Sequence, residues 1–113
     1  MKKINEKEMR GTCPEGTEGV DFKPLLAKNM SPPNFYLRVF DIAPGGHTPL
    51  HKHDWEHETY IAEGSGKIIL QGREEKLIKG DAVFVEPNEL HQFVNSGKKN
   101  LKIICVIPKP KED

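Results

Sequence analysis

The sequence has few cysteines, no surplus of either charge and no long hydrophobic run. Its 113 residues include two cysteines, which are too few for a disulfide-stabilised scaffold and favour a cytoplasmic protein with free thiols. Lysine plus arginine number 17, as do aspartate plus glutamate, so the basic surplus of a phosphate-backbone binder is missing. No apolar run approaches the roughly 20 residues that span a bilayer, and MKKINEKEMR lacks the apolar segment of a signal peptide. We therefore expect neither nucleic acid nor a membrane as a partner.

Ten glycines and nine prolines divide the chain into short apolar segments. From residue 34 onward, seven segments are rich in aromatic and β-branched residues or alternate in polarity, and turn-forming residues follow each one. These segments are 34–42, 57–63, 67–71, 75–78, 82–86, 91–95 and 100–107. No segment shows helical periodicity over ten residues. The pattern predicts an all-β protein of the sandwich, jelly-roll or small-barrel type.

The chain is predicted to form one domain, because two domains of half this length could not each bury an adequate core. The barrel is expected to cover residues 34–108. Residues 1–33 are expected to form an N-terminal arm, in which residues 20–26 form either an edge strand or one helical turn. Residues 109–113 read as a polar tail.

All five histidines lie between positions 47 and 91. His51 and His53 are two residues apart, so in extended chain they face the same side. His57 begins the next extended segment, and His91 begins a later one. Adjacent strands lie about 4.8 Å apart, so imidazoles from two or three strands can converge on one ion at about 2 Å. His47 lies outside this register and is expected at the surface.

The spacing of these histidines resembles the two motifs of the cupin superfamily of small β-barrel metalloproteins. The first motif runs from Gly45 over five residues to His51-Lys52-His53, then over three residues to His57 and over six to Gly64. The second runs from Gly80 over five residues to Glu86-Pro87-Asn88, then over two residues to His91 and over three to Asn95. Two motifs in the correct order, with strands between them, are a specific signal, whereas H-x-H alone is weak. The resemblance covers roughly residues 34–108.

Three positions depart from the usual pattern. His57 occupies the slot where the family has glutamate, and Glu58 follows it. Neighbouring residues of a strand face opposite sides, so only one of the pair can face a metal, and the count to Gly64 favours His57. Glu58 is then a solvated or interface carboxylate. In the second motif, Glu86 stands where proline is usual, and Asn88 stands where glycine is usual. Asparagine is the non-glycine residue best able to adopt the left-handed conformation.

The similarity is greatest to small single-domain cupins of the cupin_2 type that bind manganese through four histidines. It implies a double-stranded β-helix, or jelly-roll barrel, and a homodimer. It also implies one divalent transition metal per chain, with His51, His53, His57 and His91 as ligands. Manganese is the metal implied, although imidazole ligands also suit iron, nickel, zinc and copper. Because the ligands must be neutral, we expect metal loss as pH falls below the ordinary histidine pKa of about 6.5.

Four neutral imidazoles would leave the full charge of a divalent ion and open positions for a chelating small molecule. We therefore expect a metal-dependent oxidoreductase, dioxygenase-like or cleaving oxidatively, that acts on a small oxygen-rich organic substrate. The metal centre itself is the expected catalytic group, and Glu58, Tyr60 and Cys105 are candidate proton donors. Two alternatives remain open: a non-catalytic binding or sensor protein anchored by the metal, and a metal-dependent isomerase or epimerase.

Two further residues each have two interpretations. Cys105 shares a strand face with apolar residues, so it is either a buried small hydrophobe or a thiol beside the metal. Trp55 lies between two candidate ligands and either covers the site or packs at a dimer contact. The apolar strand around residues 101–107 and the aromatic segment 34–36 offer surface beyond one small core, which also favours a homodimer.

Overall fold

The computed structural model describes residues 1–111, which contain eight β-strands and one short 3-10 helix, Glu6–Glu8. The strands are β1 (Glu18–Leu26), β2 (Phe35–His47), β3 (His57–Glu63), β4 (Ser65–Leu70), β5 (Arg73–Ile78), β6 (Ala82–Val85), β7 (His91–Val94) and β8 (Leu101–Pro108). All seven strands predicted from residue 34 onward are present, and the all-β class is confirmed. Residues 112 and 113, the end of the predicted tail, lie outside the described residues. Within the described range, no helix has the length and apolar character needed to cross a bilayer.

The strands form one curled sheet in the order β5-β4-β7-β2-β8-β3-β6, and β1, which lies off this path, pairs with β2 from Glu18 to Leu26 with two shifts in register. Every strand pairing is antiparallel. Neighbours in the sheet are mostly distant in sequence, as in a jelly roll. The register between β2 and β8 is unbroken from Phe35 opposite Pro108 to Ile42 opposite Leu101. These two central strands carry part of the wall of the cavity described below.

Strand β2 continues past its predicted end at Ile42 and reaches His47. The prediction of a turn at Pro44-Gly45-Gly46 is wrong, because these residues form a bulge that stays bonded to the chain after β7. The N–H of Gly45 donates to the carbonyl of Asn95 (3.0 Å), and the N–H of Asn95 donates to the carbonyl of Gly46 (2.9 Å). Gly45 has φ +83°, which glycine adopts without strain. Sheet pairing therefore overrides the local turn signal.

The core consists of the alternate side chains that face into the curled sheet. Along β8, buried positions alternate with half-buried ones, and the inward set is the apolar face identified from the sequence. That set comprises Leu101, Ile103, Cys105 and Ile107. Ile42 and Ile61 contribute fully buried side chains from β2 and β3. The same alternation turns Arg38 of β2 and His57 of β3 inward, where both line one cavity.

A glycine at the β3–β4 junction provides a test of the fold. Gly64 has φ +80°, and a Cβ there would overlap the backbone carbonyl of Asn100. Gly72 has a similar φ of +78°, but nothing lies within 4 Å of its Cβ position. We expect Gly64→Ala to lower the free energy of unfolding by about 3 kcal/mol, and the matched control Gly72→Ala by about 1 kcal/mol, since only the first adds a clash to the left-handed strain. Chemical denaturation measures both, and equal losses would contradict the close approach at Gly64.

Candidate metal centre

A pair of backbone hydrogen bonds brings two of the histidines together. The N–H of His51 donates to the carbonyl of His91 (3.1 Å), and the N–H of His91 donates to the carbonyl of His51 (2.9 Å). Their ring centroids lie 4.9 Å apart, and the ring of His53 lies 4.2 Å from that of His51. One ligating nitrogen from each of these three residues lies within 4.8 Å of the other two. This spacing could hold a single metal ion.

His57 approaches the same cluster from the start of β3. Its ring centroid is 4.9 Å from that of His91 and 5.2 Å from that of His53. Strand alternation buries His57 and exposes Glu58, as the strand argument predicts. The Nε2 atom of His57 is buried and has no hydrogen-bond partner among the described residues. A buried polar atom without a partner is costly, and a divalent ion would satisfy it, so this set of nitrogens fits a metal.

Neighbouring groups hold two of the imidazoles through their other ring nitrogen. The Nδ1 atom of His91 lies 2.9 Å from the carbonyl oxygen of Glu89, which accepts a hydrogen bond from Nδ1–H and leaves Nε2 with its lone pair. The Nδ1 atom of His57 lies 3.4 Å from the sulfur of Cys105. Such contacts orient an imidazole before a metal binds.

The four histidines line one cavity with a volume of about 60 Å³. Its remaining wall includes Arg38, Phe40, Thr48, Phe93 and Cys105. A water molecule needs roughly 10–15 Å³ of such space, so the cavity accommodates only a few water molecules or a ligand of a few heavy atoms. The volume therefore favours a small guest.

Arg38, which none of the sequence patterns described above indicated as a site residue, lies in this cavity wall. Its Nη2 donates to the sulfur of Cys105 (3.2 Å), while its Nε is buried without a partner. The centre of the guanidinium lies 5.3 Å and 5.8 Å from the ring centroids of Phe40 and Phe22. The available signal was alternation along β2, because Arg38 shares the inward face of that strand with Phe40 and Ile42.

Burial favours the neutral form of His51, His53 and His57. It lowers the pKa of His57 to about 3 and that of His51 to about 4, and it also lowers the pKa of His53. Neighbouring imidazoles and the charge of Arg38 lower all three pKa values further. Neutral imidazole is the form that binds a metal. Metal loss on acidification stays a prediction, and the lowered pKa values of His51 and His57 move the pH expected for it below the ordinary value of about 6.5.

The structure separates the three candidate proton donors. Glu58 and Tyr60 lie on the outer face of β3, opposite His57, and do not line the cavity. Cys105 does line it, with its sulfur in contact with His57. Cys105 is thus both a buried side chain and a neighbour of a candidate ligand. His47 lies outside the cluster, with its Nε2 3.5 Å from a carboxylate oxygen of Glu18.

Trp55 and Asn88 support the loop that carries His53. The ring of Trp55 stacks on the ring of His53, with a centroid distance of 4.4 Å and an interplanar angle of 6°. Of the two interpretations of Trp55, this contact favours cover over the site. Asn88 has φ +66°, so the left-handed conformation predicted for this position is confirmed. Its N–H donates to the carbonyl of His53 and ties the two motifs together.

A jelly-roll sheet with clustered histidines in its interior defines a small β-barrel protein with a candidate metal centre. The Cupin_2 family model, described as a cupin domain, matches residues 38–107, and the chain belongs to this family. It is 35% identical over 102 residues to an uncharacterized protein of Methanocaldococcus jannaschii, covering 79% of this chain and 82% of that protein.

The names of two further similar proteins state a ligand or an activity. An oxalate-binding protein of Thermotoga maritima is 34% identical over 67 residues, which cover 58% of this chain and 55% of that protein, so the match spans about half of its length. The solved structure of the polyketide cyclase RemF from Streptomyces resistomycificus superposes with a TM-score of 0.90 at 30% identity. That superposition covers 100% of this chain and 82% of the cyclase.

The lowered pKa values predict a pH-dependent stability of the metal-free protein. The folded chain has a lower histidine pKa than the unfolded chain, so the unfolded chain takes up protons first as pH falls through about 6.5. We expect His57 alone to remove about 1–2 kcal/mol of unfolding free energy between pH 7 and pH 5. Urea denaturation of the metal-free protein at the two pH values measures the loss.

Two variants make this test specific. His57→Gln should reduce the difference in stability between pH 7 and pH 5, because it removes a buried imidazole. His47→Gln, which removes a histidine outside the cluster, is the matched control, and the reduction should be confined to the His57 variant. A wild-type protein equally stable at both pH values would contradict the burial of neutral histidines.

Proposed function

We propose that His51, His53, His57 and His91 hold one divalent transition metal. We further propose that the chain is a metal-dependent oxidoreductase, dioxygenase-like or cleaving oxidatively, that acts on a small oxygen-rich molecule. One observation carries the metal site: ligating nitrogens of His51, His53 and His91 lie within 4.8 Å of one another. Beside them lies the buried ring of His57, 4.9 Å from that of His91, with its Nε2 unpartnered among the described residues. Manganese is the proposed metal on family resemblance, and iron, nickel, zinc and copper also suit imidazole.

The composition of the cavity supports chemistry at the metal. A bound transition metal would supply Lewis acidity and redox capacity. Among the described residues that line the cavity there is no carboxylate, so the chain offers no acidic pair for general acid–base catalysis. Phe40 and Phe93 provide apolar walls that restrict water, and Trp55 shields one side of His53. The chain's own contribution is therefore to hold the ion, orient a small guest and limit the access of water.

The size of the cavity supports a small substrate. A space of about 60 Å³ suits a guest of a few heavy atoms rather than a polycyclic one. One relative is named an oxalate-binding protein, and oxalate is a ligand of this size. On both grounds we favour a small oxygen-rich guest over a polyketide.

The second candidate function is a non-catalytic binding or sensor protein that uses the metal as an anchor. It is favoured by the lack of an acid–base pair in the described cavity wall, where Cys105 is the only titratable side chain besides the histidines and Arg38. The same feature disfavours an isomerase or epimerase, which must move a proton on its substrate. Turnover in air separates the two leading candidates.

The site and the function are tested together by metal content and oxygen consumption. Protein loaded with Mn²⁺ or Fe²⁺ should contain one ion per chain and should consume dioxygen with a member of a panel of catechols, enols and keto acids. His91→Gln and His57→Gln should each weaken metal binding at least about tenfold. Metal binding is measured by the fluorescence of Trp55 and by elemental analysis. His47→Gln is the matched control and should bind metal like the wild type.

The outcomes of this experiment separate the candidates. Substrate-dependent oxygen consumption supports the oxidoreductase. Ligand binding without turnover supports the binding protein, and turnover without oxygen consumption supports the isomerase. A wild-type protein that binds no divalent transition metal at neutral pH would overturn the proposed site.

We also propose that the chain is a cytoplasmic, single-domain barrel of residues 34–108 with an N-terminal arm of residues 1–33. Both cysteines are free in the described structure, which supports a reducing compartment. The arm is held to the barrel by the pairing of β1 with β2 and by Glu6, whose carboxylate accepts a hydrogen bond from Lys102 of β8 (2.6 Å).

A homodimer is proposed from an aromatic patch on the outer face of β3 and β6. Tyr60 is 47% exposed and Phe84 56% exposed. Tyr60 lies opposite half-buried Ile104 of β8, and Phe84 lies opposite exposed Glu58, which in turn lies opposite half-buried Val106. Exposed aromatic clusters of this kind are typical of interface centres. We expect Tyr60→Glu combined with Phe84→Glu to convert a dimer into a monomer, as measured by light scattering. Ile78→Glu, at an exposed apolar position on β5, is the control, and a monomeric wild type would contradict the proposal.

A further inference from the structure

Arg38 places a positive charge in the cavity wall without a carboxylate to neutralise it. A guanidinium carries five N–H donors. Among the described residues, Arg38 makes one side-chain hydrogen bond, to the sulfur of Cys105, which is a weak acceptor, and its Nε is buried without a partner. Phe22 and Phe40 flank the guanidinium at 5.8 Å and 5.3 Å, and these cation–π contacts hold it without using its donors.

Several other cations of the described chain, among them the partly buried Lys23, Lys67 and Lys102, are paired with carboxylates. Each of four basic side chains lies within 4.0 Å of a carboxylate oxygen: Lys23, Lys67, Arg73 and Lys102. Within residues 1–111, no carboxylate oxygen lies this close to the guanidinium of Arg38, although Arg38 is partly buried. Arg73, by contrast, is paired although it is exposed. Removing a charged donor from water without an anion is unfavourable. A ligand that carries an anionic group would supply the partner that the guanidinium of Arg38 lacks among the described residues.

The position of Arg38 relates it directly to the candidate metal centre. The sulfur of Cys105 lies 3.2 Å from Nη2 of Arg38 and 3.4 Å from Nδ1 of His57, so a single side chain separates the guanidinium from the histidine cluster. Arg38 and the four histidines line the same cavity of about 60 Å³. With a divalent ion on neutral imidazoles, every formal charge of this cavity wall would be positive.

We propose that Arg38 binds the carboxylate of the substrate, and that the substrate is a small acid with a second oxygen on the neighbouring carbon. This class comprises short α-hydroxy acids, α-keto acids and two-carbon dicarboxylates. The proposal rests on the metal site proposed above, since the second oxygen is the one that would reach the ion. A guanidinium matches a carboxylate in paired, parallel hydrogen bonds. Neutral diols and sugars would leave Arg38 without its anion.

The proposal is tested by comparing an acid with its neutral amide. Glycolate and glycolamide have nearly the same shape and differ in charge, and both fit a small cavity. We expect isothermal titration of the Mn²⁺-loaded wild type to show glycolate binding at least about tenfold tighter than glycolamide. Arg38→Met should reduce this preference to about twofold or less. Arg38→Lys should retain part of it, because lysine keeps the charge but loses the paired geometry.

Controls distinguish this inference from a folding defect and from failure of the metal site. Arg73→Gln removes an exposed cation and should keep the wild-type preference. The Arg38 variants are first checked for thermal unfolding and for one Mn²⁺ per chain. An Arg38→Lys or Arg38→Met variant that binds Mn²⁺ and keeps the full preference for glycolate would overturn the inference and leave the proposed metal site intact.

Two further outcomes also count against the inference. Tighter binding of inorganic phosphate than of glycolate by the loaded wild type would overturn the choice of a carboxylate. A wild type that binds no Mn²⁺ would overturn the proposed function, and this inference with it.

Discussion

Two backbone hydrogen bonds between His51 and His91 are the constraint on which the candidate metal centre depends. They fix the chain that follows β2 against the start of β7, so that imidazoles distant in sequence face one another. His53 reaches the cluster because it lies two residues further along. His57 arrives separately, from a strand held by its pairing with β8. No single segment contains the site, so an ion bound there would link three parts of the fold and would stabilise the folded state.

The same region concentrates the polar atoms that the described fold leaves without partners. The buried side-chain nitrogens with no hydrogen bond belong to Arg38, Trp55 and His57, and all three residues border the histidine cluster. Native folds satisfy most buried polar groups, so exceptions that cluster at one place point to a binding site. Burial and the charge of Arg38 act in the same direction, because both lower the pKa values of His51, His53 and His57. A metal on His57 and an anionic guest on Arg38 would give partners to two of the three unpartnered groups.

Much of this arrangement follows from short-range patterns in the sequence. Strand alternation predicts that His57 faces inward and Glu58 outward, and motif spacing predicts the left-handed Asn88, because each depends only on neighbouring residues. Two features escape such reasoning. The continuation of β2 through Pro44-Gly45-Gly46 depends on pairing with distant chain, which overrides the turn signal. The placement of Arg38 depends on a partner 67 residues away, and a single arginine in a strand pattern gives no indication of the cavity that it lines.

The ligand set of a bound ion provides the most direct test of the central claim. X-ray absorption spectroscopy of the protein loaded with one equivalent of Zn²⁺ reports both the distance and the identity of the ligands. A centre built from His51, His53, His57 and His91 predicts nitrogen ligands at about 2.0–2.1 Å with the scattering pattern of four imidazoles. A shell with fewer imidazoles, or one that contains the sulfur of Cys105, would contradict it.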